Sequence, residues 1–440
     1  MAASVFSSPL YAQLFPTGAV GRLWSDSAEV RAMLLVEGAL AKVQGAQGVI
    51  PEVSAAFIHR SSLEVQIDPG GLAAATGQNG VSVPGLVSAF RSAMEAPEHA
   101  QYAHWGATSQ DIIDTALMLR LRQTLAAQEE TARRCLGLMA TQARANAATP
   151  VVARTYGQHA TVTSWGAILA QWGAPLAEAV ARLPALRRDC LWVSLGGASG
   201  TGAALGPDAP TTRAGLAEQL SLGDPGRSWH TDRGPILRIA AWMAEVVATL
   251  AGMGHSLIGL LGSDTGEVRL TGAGASSTMP QKQNPVGPSA LVALGHQMAG
   301  LSASLQAAGA HQYQRDGAAW FTEWMTLPQI ALCTASALEI AANGIDTLAP
   351  VPEAMVAHIA GTGLAHAEAL SFALATRMPR PEAQAETKAL VTRALSTQQP
   401  LEAVARAAHA DLPAGLFDAA QQMGQAPHDA RAFADRVDAL

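Results

Sequence analysis

The chain has 440 residues, 49% of them hydrophobic and 14% charged, with a formal net charge of −7. A chain this long and apolar is not disordered, exceeds one ordinary domain and can bury large cores. The acidic balance and the lack of any Lys/Arg block exclude nucleic acid as a partner, and the low charge hints at surface buried between subunits.

Cys135, Cys190 and Cys333 are far apart and odd in number, which suits reduced core thiols in a cytoplasmic protein. Residues Met1 to Pro9 lack the basic and apolar regions of a signal peptide. The long apolar stretches carry Arg, Glu, Gln and Trp, so none is expected to span a membrane.

Helical patterning runs through most of the chain, and few segments alternate with the strand period. Asp26 or Ser27 is expected to cap a helix reaching about Gly48, with Met33, Val36, Leu40 and Val43 on one face and Pro51 beyond its end. A long proline-free segment from Asp111 to about Asn146 presents Ile112, Ile113, Ala116, Leu117, Leu121 and Leu125 on one broad face. A second long helix is expected from about Thr161 toward Arg188, kinked or broken at Pro175 and Pro184. A third starts with Pro235 at its first position and passes Leu260. A fourth follows Pro285, and a fifth follows Pro328 and ends near Asn343. Long segments of this kind suggest a helix bundle. Boundaries are expected near Ala103 and in the proline-bearing stretch Leu348 to Pro352, after which shorter helices run to Leu440.

The most specific stretch is Gly274-Ala-Ser-Ser-Thr-Met-Pro-Gln-Lys-Gln-Asn-Pro285. Asn284 and Pro285 alone make a good helix start, and Met279 and Pro280 could anchor a loop. Neither accounts for Ser276 and Ser277 at their spacing from Lys282. A second constellation is His104-Trp-Gly-Ala-Thr-Ser-Gln-Asp111. Thr108 and Asp111 fit a capping box, and a hydroxyl-bearing helix N-terminus also suits a carboxylate ligand. Further strings are Arg154-Thr-Tyr-Gly-Gln-His159, the Gly-rich run Leu195 to Gly206, Trp229-His-Thr-Asp-Arg233 and Gln314-Arg-Asp316. The Gly-rich run has neither the G-x-G-x-x-G nor the G-K-[ST] spacing, which argues against a nucleotide cofactor. The His residues form no H-E-x-x-H and no ligand-spaced cluster with Cys, so no metal is expected.

These strings resemble the fumarase/aspartase superfamily and, within it, the bacterial 3-carboxy-cis,cis-muconate cycloisomerases. The 274–285 stretch is similar to the superfamily signature G-S-S-x-M-P-x-K-x-N-P, with Ala275 in the place of its glycine. Gln281 and Gln283 stand where the cycloisomerases usually carry His and Arg, a departure that bears on substrate preference. The resemblance extends to Leu23 to Asp26, Gly48 to Pro51, Gly77 to Pro84 and Gly361 to Glu368, so it covers essentially the whole chain.

The resemblance implies an all-α chain of three domains, 1–103, 104–349 and 350–440, with a central five-helix bundle. It also implies a homotetramer whose active sites each collect segments from three subunits. The implied enzyme is an isomerase of intramolecular-lyase type that needs no cofactor and acts on a small tricarboxylate. Ser276 takes the place of the family's catalytic serine. Lys282 and the amides of the Gly272 to Thr278 loop would stabilise an enolate-like intermediate. Thr108 and Ser109 fall on the family's carboxylate-binding T-S-x-D. Arg315 and Arg233 are candidates to bind further carboxylates in two-pronged fashion. Ser277 and Asn284 complete the substrate-binding candidates, with Gln158 and His159 for substrate contact or proton transfer. Tyr156 stands where adenylosuccinate lyases carry a general-acid histidine, which argues against that activity. A non-catalytic paralogue, as some lens proteins of the superfamily are, is the other alternative. Retention of Ser276, Lys282 and Asn284 argues against it.

Overall fold

The structure, a computed structural model, describes residues 4–271, 274, 275, 279 and 282–440. It is mostly helical, with three small two-stranded sheets among the described residues. Five helices dominate: Ser109–Ala145, Trp165–Cys190, Gly234–Leu260, Val286–Ala308 and Gly317–Asp346. By contacts the chain divides into two compact units. The first comprises Met1–Thr131, Ala181–Ala248 and Leu294–Glu339; the second comprises Ala132–Val180, Thr249–Ala293 and Ile340–Leu440.

In the first unit, specific contacts join the long helices in a ring. Gln128 donates to the Ala331 carbonyl at 3.0 Å, and Arg187 pairs with Glu129 at 2.6 Å. Arg182 pairs with Glu245, and Cys333 donates to the Leu294 carbonyl at 3.5 Å. Gly309 lies so close to Leu237 that a Cβ there would meet it at 2.7 Å, which closes the ring. A core under the N-terminal helices Asp26–Ala46, Glu52–Glu64 and Val83–Ala93 joins Met33, Val36, Leu86 and Phe90 to Ile112 and Trp320. In the second unit, Gln142 donates to the Ile345 carbonyl at 2.7 Å. Gly254 allows equally close approach, since a Cβ there would come within 2.8 Å of the Pro288 carbonyl. The C-terminal helices of this unit gather round Leu370, Leu374, Leu390, Leu401 and Val404.

Several boundaries differ from the sequence reading. Ser25, not Asp26 or Ser27, caps the Asp26–Ala46 helix, its hydroxyl accepting from the Ala28 amide at 3.3 Å. Neither Pro175 nor Pro184 interrupts Trp165–Cys190. The fifth helix begins at Gly317 and carries Pro328 in its interior. An internal proline removes one hydrogen bond and crowds the preceding turn, at about 3 kcal/mol. Here Leu176, Val180 and Leu183, and likewise Leu327 and Ile330, are wholly buried beside those prolines, and packing outweighs the local cost. The stretch from Thr161 to Ser164 is not helical. Pro150–Thr155 and Gln158–Ser164 pair antiparallel, with Val152 opposite Val162 and Thr155 opposite Gln158. Tyr156 and Gly157 close this hairpin with φ of +52° and +72°, the left-handed pair of a two-residue type I′ turn.

Gly234–Leu260 and Gly317–Asp346 are long and apolar enough to cross a membrane, yet 56% and 78% of their apolar windows are buried within the protein. They are core helices. Cys135, Cys190 and Cys333 are free and buried, and burial pushes the Cys135 and Cys333 thiols up to about 12. No group of three or more His, Cys, Asp or Glu among the described residues is placed to hold a metal.

Candidate active site

In the first unit the site is built on the start of Ser109–Ala145. Asp111, wholly buried, lies in its first turn. Its Oδ2 accepts from the Thr108 amide at 3.0 Å, one half of the expected capping box. The same oxygen accepts from the Gly197 amide at 2.9 Å. Oδ1 accepts from the Gly196 amide at 2.8 Å, the Ser194 hydroxyl at 3.2 Å and His230 Nε2 at 2.8 Å. One carboxylate thus ties the helix start, the glycine-rich turn and the Trp229–Arg233 string together. Five acceptor contacts satisfy a carboxylate that burial shuts off from solvent. Gly197 takes φ of +69° there, a conformation that favours glycine.

Thr108 and Ser109 are only partly buried at the outer side of this helix start. Arg315 reaches over it. Its Nε donates to Gln110 Oε1 at 2.8 Å, and its Nη2 to Thr108 Oγ1 at 3.4 Å and the Ala198 carbonyl at 3.3 Å. Nη1 has no partner among the described residues, and the side chain is exposed. A guanidinium with unspent donors beside a helix N-terminus suits a carboxylate ligand.

Arg233 corrects its sequence reading. It is 1% exposed and fully spent. Nε and Nη2 donate to Glu323 at 2.8 and 2.6 Å. Nη1 and Nη2 donate to Asp114 at 2.8 and 3.0 Å, and the remaining Nη1 proton points to the His230 carbonyl at 3.5 Å. All the guanidinium protons are used, so none is left for a substrate carboxylate. Burial opposes its charge, but Asp114 and Glu323 outweigh that and hold its pKa above the ordinary arginine value.

In the second unit the hairpin carries Gln158 and His159, both exposed, and Tyr156 stands out fully exposed at the tip. Behind them lies Glu267, wholly buried. Its carboxylate takes Arg154 in two-pronged fashion at 2.7 and 2.9 Å, and His358 Nδ1 at 2.7 Å. Arg154 Nη2 lies 3.5 Å from His159 Nε2, and the His159 and His358 rings are 5.7 Å apart. Burial, the Arg154 guanidinium and His358 push the His159 pKa below its ordinary value, against Glu267. The shift favours the neutral imidazole of His159, the form that can accept a proton.

Ser276, Ser277 and Gln281, with most of the Gly272 to Thr278 loop, lie outside the described residues. The strands that bracket the two serines are described: Gly274 pairs with Asn284 and Ala275 with Gln283. The Val286–Ala308 helix then begins one residue later than Asn284 and Pro285 suggested. Lys282 is exposed and Asn284 half-buried. Both line a cleft of about 730 Å³, with Ile258, Val268, Arg269 and Met279. Two cations lining one cleft, Arg269 and Lys282, suit an anionic ligand.

Sequence reasoning missed the buried partners Asp114, His230, Glu267 and Glu323 and the half-buried His358. Only Asp111 had carried a signal, as a capping residue. His104 also gained a partner. Its Nδ1 meets the buried Glu37 at 2.7 Å, and although burial lowers its pKa, that carboxylate raises it overall.

Comparison with known proteins matches residues 22–300 to a family described as lyase. The chain is 35% identical to a 3-carboxy-cis,cis-muconate cycloisomerase of Pseudomonas aeruginosa, over 98% of this chain and 96% of that protein. It is 33% identical to a nitrosuccinate lyase of Streptomyces davaonensis, over 84% and 80%. A crystal structure of 3-carboxy-cis,cis-muconate lactonizing enzyme from Pseudomonas putida superposes with a TM-score of 0.91 at 32% identity, covering 98% of this chain and 99% of that one. Motifs, fold and relatives agree: the chain belongs to the lyase family of the fumarase/aspartase superfamily.

Proposed function

We propose that the chain is a 3-carboxy-cis,cis-muconate cycloisomerase, acting in the protocatechuate branch of aromatic degradation, the β-ketoadipate pathway. One substrate carboxylate adds across a double bond and closes a lactone ring, while a proton goes to carbon. The product is a carboxymuconolactone with the same atoms as the substrate. Ser276 transfers the proton, and Lys282 and loop amides stabilise the enolate-like intermediate. Thr108, Ser109 and Arg315 hold carboxylates, with Ser277, Asn284 and Gln158 as further contacts and His159 as the second proton-transfer group. Holding carboxylate and alkene in near-attack geometry supplies much of the acceleration. This acid–base chemistry calls for no cofactor.

The observation that carries the proposal is the clustering round Asp111. Three strings that resemble the cycloisomerases, containing Asp111, Gly196–Gly197 and His230, are held by that one carboxylate. We further infer three domains, 1–103, 104–349 and 350–440, and a cytoplasmic homotetramer with active sites shared between subunits.

The test is a spectrophotometric assay of the purified protein with 3-carboxy-cis,cis-muconate, following loss of the conjugated diene absorbance. Rapid loss without added cofactor is the expected result. No loss from well-folded protein overturns the proposal and directs the assay to adenylosuccinate and nitrosuccinate. Inactivity on all of these would favour a non-catalytic paralogue.

A further inference from the structure

Gln110 is wholly buried in the first turn of Ser109–Ala145, and its amide faces two ways. Nε2 donates to the Asp114 carboxylate at 3.1 Å and to the His230 carbonyl at 2.8 Å. Both partners are acceptors, so the amide orientation is determined and Oε1 faces the opposite side. There it accepts from Nε of Arg315 at 2.8 Å. Asp114 is itself held by Arg233.

We propose that Gln110 is a positioning residue that aims Arg315 at a substrate carboxylate. The proposal rests on Arg315 being a carboxylate holder, as read above. An amide is the one uncharged side chain of this length that joins a carboxylate on one side to a guanidinium on the other. Glutamate would face Asp114 with like charge, and lysine or arginine would repel Arg315. Glutamine engages only Nε and leaves the charge of Arg315 for the ligand. Without it, Arg315 keeps only the longer contacts to Thr108 and Ala198. An exposed arginine released in this way loses more side-chain freedom on binding, so affinity falls.

The experiment is a double-mutant cycle of Gln110→Met and Arg315→Ala in the full-length protein. It reads KM and kcat for the muconate, and Kd for propane-1,2,3-tricarboxylate by calorimetry. For a hydrogen bond to a charged group, Gln110→Met is expected to raise KM and Kd roughly tenfold, with kcat moving less. In the Arg315→Ala background the same change is expected to add nothing further. Full additivity marks Gln110 as merely structural and overturns the proposal, as does an unchanged KM and Kd in the single variant. Arg315→Lys, at an exposed position, is the second variant if Gln110→Met fails to fold. It keeps a cation but removes the Nε donor that Gln110 holds, so KM and Kd again rise. If the native protein binds the tricarboxylate without turning over the muconate, the proposed reaction fails while this proposal is still decided by the binding cycle. If the native protein binds no tricarboxylate, this proposal fails.

Discussion

His230 Nε2 meets Asp111 Oδ1 at 2.8 Å with both side chains buried, although the two residues are 119 positions apart. The contact makes the start of one long helix and the approach to another a single structural element. Asp111→Asn keeps the size but replaces one acceptor oxygen with a donor group that faces donors. We expect a loss of about 2–4 kcal/mol, the range for breaking a buried, hydrogen-bonded charge. Denaturant unfolding of both proteins checks this. A variant of native stability would show that the carboxylate does not organise the site.

Arg233→Met leaves Asp114 and Glu323 buried without their cation. Removing one partner of such a cluster destabilises by about 3–5 kcal/mol. The expected signature is a fall in soluble yield and unfolding temperature. A stable variant with only a raised KM would restore Arg233 to substrate binding.

The His104–Glu37 pair gives stability a pH dependence. Burial lowers the His104 pKa and Glu37 raises it, with a net value above the ordinary 6.5. The protonated pair therefore contributes fully below pH 6.5, and its contribution is lost as pH rises through the folded-state value. His104→Gln should flatten this part of the curve, measured as unfolding midpoint against pH. An unchanged curve would refute the assignment.

Ser276→Ala and Lys282→Met are expected to cut turnover of the muconate about 10²–10⁴-fold, the usual weight of a positioned acid–base group, while fold and oligomeric state stay unchanged. Diene absorbance and light scattering on the same samples separate the two effects. Full activity in Ser276→Ala would remove that serine from the mechanism.

The helix starts at Pro235 and Pro285 were legible to within one residue because proline at a first turn acts through local geometry alone. Pro175, Pro184 and Pro328 misled for the opposite reason: burial of neighbouring side chains, invisible in a local window, overrode the break. The hairpin escaped because Val151 and Val152 are both buried in succession, which erases the alternation that marks a half-exposed strand. Motif matching picked out Thr108, Ser109 and Arg315, which the structure brings together at one helix start. It also placed Arg233 among the binding residues, because the residue type that grips a substrate carboxylate also grips Asp114 and Glu323. The partners that decide between these roles lie 119 and 90 positions away.

The string Thr108-Ser-Gln-Asp111 divides by direction. Thr108 and Ser109 are partly open, whereas Gln110 and Asp111 are sealed. Under the proposed function, a change in the acid accepted is best sought at the first two positions, where the fold constrains the side chain least. A library that randomises all four would be depleted chiefly by misfolding, and its survivors would report the tolerance of the scaffold before the preference of the site.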